Sequence, residues 1–130
     1  MTQQELELPK GWAETSLDCI LETLEAGKRP KGGVKKSTKG IPSLGGEHLN
    51  SEGNFNFQKL KFVPLEFFES MSQGHVKSDD VLIVKDGATT GKVSFVRKDF
   101  PYSKAAVNEH VFILRANPSA ISQLFLFYYL

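Results

Sequence analysis

Residues 81–96 read VLIVKDGATTGKVSFV, and this stretch decides how the chain folds. Two apolar, β-branched runs, Val81–Val84 and Val93–Val96, enclose a turn-rich segment with Asp-Gly at its start. That pattern predicts a β-hairpin. Gly87 and the Gly91-Lys92 pair resemble a phosphate-binding loop, but the spacing excludes one. Such a loop needs four residues between its glycines and a hydroxyl after the lysine. Here three residues intervene and Val93 follows Lys92. The strand-like VSFV then leaves no helix N-terminus to receive phosphate. The hairpin tip still carries Lys85, Thr89, Thr90 and Lys92, groups that suit an anion.

Working outward toward the N-terminus, Pro64 is placed to open a helix whose apolar face is Leu65, Phe67, Phe68 and Met71. Phe55–Val63 alternates as a strand, with a bulge or register change between its halves. Asn50–Asn54 and Gly45–His48 read as turns, and Ile41–Leu44 as a short extended piece. Leu17, Ile20, Leu21 and Leu24 follow helical spacing, predicting a helix from Ser16 or Asp18 to Gly27 with Cys19 in the core. A short strand is expected at Ala13–Leu17, with Trp12 as a buried anchor, and residues 1–7 read as a flexible tail.

Toward the C-terminus, Asp99-Phe100-Pro101 is a turn and Ala105–Leu114 reads as one buried strand. Ser119 is expected to cap a final helix, Ala120–Leu130, within a terminal segment 118–130. Its end, LFLFYYL, carries no stop signal, so the expectation is a fragment of a longer protein.

The 130 residues suit one domain with a genuine core. No apolar run approaches the ~18 residues of a membrane span. A single cysteine excludes an internal disulfide and a multi-cysteine metal site, and points to a reducing, cytoplasmic setting. Net charge is only +1, but it is unevenly spread. Residues 27–40, GKRPKGGVKKSTKG, hold six basic residues and no acidic one, leaving 10 basic against 15 acidic residues elsewhere. A basic loop on an acidic body is the pattern of a local anion-binding site.

Motifs for catalysis are missing. The sequence has no Asp-x-Lys or Glu-x-Lys, no His-x-x-x-His, no Gly-x-Ser-x-Gly and no G-x-G-x-x-G after a strand. Glu109-His110 is an adjacent acid–base pair, and on a strand its members would face opposite sides.

The order of segments carries a resemblance. LPKGW at residues 8–12 is followed by GKRPKGG, IPSLGGEHL, KFVPLEFFE, the Gly87–Lys92 turn, AAVNEHVFILR and a last apolar helix. This succession resembles the target recognition domain of a type I restriction–modification specificity subunit, over residues 8–130. The resemblance implies a single mixed α/β (α+β) domain with a twisted, mostly antiparallel sheet and flanking helices. It implies a non-catalytic reader of double-stranded DNA that needs no cofactor and acts in a bacterial or archaeal cytoplasm. Partner methylation and restriction subunits would supply the chemistry. The chain lacks a second recognition domain and the heptad spacer helix of a complete subunit.

On this reading Lys28, Arg29, Lys31, Lys35, Lys36 and Lys39 suit phosphate contacts. Arg29 also suits a guanine edge, and His48, Thr89, Thr90 and Asn108 could address others. Lys85, Lys92 and Lys104 complete the expected DNA-binding positions. Two other readings stand beside it: the recognition region of a single-chain restriction–methyltransferase, and a protein-interaction module with an aromatic surface. Self-association through the apolar terminal helix is a further expectation.

Overall fold

The computed structural model describes residues 7–31 and 39–130. The predicted hairpin is present: β4 (Val81–Val84) pairs antiparallel with β5 (Val93–Phe95), and Val81 stands opposite Phe95. Two further strands extend this sheet. β7 (Val111–Ala116) lies against β4, and β1 (Leu21–Ala26) lies against β7, giving the antiparallel order β1-β7-β4-β5.

A second sheet has the order β3-β2-β6. Here β2 (Ile41–Leu44) pairs antiparallel with β3 (Lys61–Val63) and parallel with β6 (Ala106–Val107). The expected mixed, mostly antiparallel architecture is therefore built as two sheets. The helices are short: α1 (Leu17–Ile20), α2 (Leu65–Ser70) and α3 (Gln123–Tyr129), with a 3₁₀ turn at Gly46–His48.

Packing follows from the strand period of two. Leu82, Val84, Val111 and Ile113 leave one face of the four-stranded sheet to meet Leu44, Leu49 and Val107. Val81, Phe95 and Leu114 leave the other face to meet Leu126 of α3. Both faces are covered, so VLIV is apolar throughout rather than alternating. Behind the three-stranded sheet, Val63 and Ala106 pack on Phe68 of α2 and on Met71, which follows it. The layers run α3, four-stranded sheet, three-stranded sheet, α2.

Several local expectations are overturned. Residues 17–26 form one helical turn and then β1, because five residues of this segment pair with β7. Long-range strand pairing outweighs local helical spacing. Leu24 is left exposed, and so is Cys19. Gly27 caps no helix. A Cβ there would stand 1.6 Å from the Val107 carbonyl oxygen, so only glycine fits. Trp12 is 72% exposed and no strand forms at 13–17. Of Phe55–Val63, only Lys61–Val63 is strand; Phe55 makes a single bridge to Leu49. Phe55, Phe57, Phe100 and Tyr102 instead cluster ring on ring. The terminal helix begins later than expected, with Ser122 as its cap; the Ser122 hydroxyl accepts from the Phe125 N–H.

The expected strand Ala105–Leu114 is two strands in different sheets. The polar run Asn108-Glu109-His110 carries the chain between them, and this crossing turn organises the site described next.

Candidate nucleic-acid interface

The C-terminal ends of four strands converge on the crossing turn. Gly27, after β1, donates its N–H to the Asn108 carbonyl at 3.1 Å. Leu44, which ends β2, accepts from the Asn108 N–H at 2.9 Å, and Lys85, after β4, donates to the His110 carbonyl at 2.9 Å. β6 itself runs into Asn108. Within the turn, the Asn108 side-chain oxygen accepts from the His110 N–H at 2.8 Å, an Asx bond that fixes its shape. Backbone bonds thus bring the start of the basic segment, the β2 end and the hairpin tip to one pole.

Side chains at this pole form a chain of charges. The Arg29 Nε lies 3.1 Å from Glu109 Oε1, and His110 Nε2 lies 3.2 Å from the same oxygen. His110 Nδ1 bonds Asp86 of the hairpin tip. Lys61 Nζ lies 3.6 Å from Glu47. Arg29, Ser43, Glu47, Lys61, Asn108, Glu109 and His110 line one concavity. Burial pushes the Glu47 carboxyl up, but its own backbone hydrogen bond and the neighbouring His48 and Lys61 outweigh that, holding it below the usual range.

Glu109 and His110 do not take the opposite faces of a strand that their adjacency predicts. They sit in a turn instead and meet each other directly. Glu109, His110, Asp86 and Lys61 join the pole without any motif that marks them as DNA-binding positions. Glu109 and His110 are signalled by their adjacency and by three consecutive polar residues, Asn-Glu-His, interrupting an apolar run; Asp86 and Lys61 carry no such signal.

The remaining expected positions divide. Lys28 and Lys31 are exposed beside Arg29, and Lys39 is exposed before β2. Lys35 and Lys36 lie outside the described residues. His48 is buried: its Nδ1 accepts from the Gly45 N–H at 2.9 Å, so Nε2 carries the proton toward the Lys59 carbonyl at 3.0 Å. That ring is a loop-packing element, withdrawn from any base edge. The Lys85 ammonium lies 5.2 Å over the Phe112 ring, on the α3 side of the sheet. Lys92 borders a second hollow shared with Phe127 and Tyr128. Thr89 is half-buried, and the Thr90 hydroxyl donates to the Gly87 carbonyl at 2.7 Å. Lys104 precedes β6 whereas Asn108 follows it, so the two stand at opposite ends of that strand.

Among the described residues, no group of three or more His, Cys, Asp and Glu side chains is placed to hold a metal ion. No helix of the described residues is long and apolar enough to cross a membrane.

The chain is similar in structure to the HsdS subunit from Thermoanaerobacter tengcongensis, with a TM-score of 0.66 and 17% identity. The likeness covers 98% of this chain and 29% of that one, so the chain spans under a third of that subunit's length. At this identity the likeness is one of fold, and it agrees with the mixed α/β architecture expected from the segment order. No protein-family model and no curated protein matches the chain.

Proposed function

We propose that this chain is a DNA target recognition domain, a non-catalytic reader of one half of a bipartite site in a type I restriction–modification specificity subunit. Methylation and restriction subunits in a bacterial or archaeal cytoplasm are its proposed partners, and they carry the chemistry. The observation that supports this reading most is the fold likeness to an HsdS subunit across nearly the whole chain. The pole described above agrees with it. Cations at the root of the basic segment suit phosphate, while Arg29, Thr89, Thr90 and Asn108 offer groups that suit base edges.

Fluorescence anisotropy with a labelled duplex at several salt concentrations tests the proposal. The expected affinity is in the non-specific range, ~10⁻⁴ to 10⁻⁶ M at physiological salt, weakening steeply as salt rises. The exposed aromatics Trp12, Tyr128 and Tyr129 favour a second reading, an apolar protein-interaction module. Association with DNA that ignores salt, or no association at all, would favour that reading instead.

A further inference from the structure

Glu109 is an anomaly at a pole proposed to meet phosphate. Both of its carboxylate oxygens are covered, yet neither accepts a hydrogen bond among the described residues. Its nearest cation is Arg29, whose Nε is 3.1 Å away but off the line of a good bond. A covered carboxylate with an imperfect partner is under-satisfied, and a buried unsatisfied acceptor costs free energy. The Arg29 side chain is 57% exposed, so moving it requires no repacking of the core. Asp86 accepts from His110 Nδ1, so in the neutral ring Nε2 presents only a lone pair to Glu109 and cannot replace Arg29 as a donor.

We propose that Glu109 is a selectivity-determining residue. It holds the Arg29 guanidinium off the DNA backbone, and releases it only where a hydrogen-bond donor on a base edge takes the carboxylate. The inference rests on the DNA-reading function above. The chemistry is complementary to a G·C pair: a carboxylate accepts from the cytosine N4 amine, and a guanidinium donates to guanine O6 and N7. Phosphate offers acceptors only. It could take Arg29 but would leave Glu109 bare and facing like charge, so binding to arbitrary sequence is penalised. Specificity of this kind works by making the wrong partner costly.

The test uses this chain and an arbitrary-sequence duplex, with binding followed across a salt series. E109Q is isosteric and removes the charge. It is expected to tighten non-specific binding several-fold and to steepen the salt slope by about 0.9, the increment for one more neutralised phosphate. In an R29A background the same change is expected to give no gain. If E109Q binds like the wild type, or if it gains equally with and without Arg29, the proposal is overturned; equal gain would mean generic repulsion. A second readout needs no variant. In the wild type, the Arg29 Nε–H signal in nuclear magnetic resonance spectra should stay in place when arbitrary duplex shifts the Lys28 and Lys31 signals. Movement of Arg29 with them overturns the proposal. A wild type that binds no duplex at low salt removes the DNA-reading function itself, and this inference with it.

Discussion

Arg115 shows how one side chain ties three segments together. Its Nε and Nη2 donate to the Asp80 carboxylate at 2.7 and 3.0 Å, and Nη2 also donates to the His75 carbonyl at 2.9 Å. Nη1 lies 3.6 Å from Glu25 of β1. The bidentate Asp80 bond and the nearby carboxylates raise the Arg115 pKa against the opposing effect of burial. Asp80 is buried and also accepts from the Lys77 N–H at 2.7 Å. Asp80→Ala would leave a largely covered guanidinium without its partner. Removing one partner of a buried pair costs about 3 kcal/mol or more, and urea unfolding is expected to show a loss of that size. A change below about 1 kcal/mol would show the pair to be expendable, as surface pairs are. Glu47 gives a second test at this scale. Its folded carboxyl pKa is lowered, so its contribution to stability is present above the unfolded value and is lost as pH falls through the folded one. Carboxyl-detected titration should find Glu47 below the ordinary glutamate range, and Lys61→Ala should raise it. An ordinary value in the wild type would contradict the charge arrangement at the pole.

Among the elements, the hairpin is the most legible in sequence because its cause is local. Both strands and the turn that joins them lie within residues 81–96, and their chemistry agrees. α2 is legible for the same reason, with Pro64 at its start. β1 is not, since its residues have helical spacing and become a strand only by pairing with β7, distant in the chain. The β6–β7 division is hidden because an apolar run does not state which sheet it serves. Charge composition marks the basic segment, whereas the acidic partners of the pole come together through tertiary contacts that no spacing reveals. α3 is foreseeable in type but begins at Gln123. Leu126 on its inner face is fully buried, while Phe125, Tyr128 and Tyr129 are 59%, 70% and 73% exposed. Exposed apolar patches are a feature of contact surfaces, and we propose that role for this one. Sedimentation velocity is expected to show concentration-dependent association, abolished by replacing Tyr128 and Tyr129 with Ser. A monomer at every concentration would remove this role from α3.

For the molecule as a whole, the proposed DNA-reading function assigns positioning and selection to different residues. Lys28 and Lys31 flank Arg29 at the pole and are exposed. Replacing both with Ala should weaken binding to every duplex alike, and should reduce the salt slope by roughly 0.9 for each phosphate no longer neutralised. Within a complete specificity subunit the same pair should leave site preference unchanged. Replacing Thr89 should instead change preference between sites, by about 1–3 kcal/mol if its hydroxyl bonds a base edge. If the lysine changes alter preference and the threonine change does not, the two roles are reversed.

The β1–β7 ladder has a kinetic consequence. It joins Leu21 to Ala116, near opposite ends of the chain, so its loop-closure entropy is among the largest in the fold. Pairings of that reach slow folding, and those formed locally, such as β4 with β5, come first. Gly27 and Arg29 follow β1 directly and take their places only when that strand docks. A nascent chain released before its final strands emerge would have its hairpin but no assembled pole. The charged end would thus be completed last, by the same event that closes the sheet.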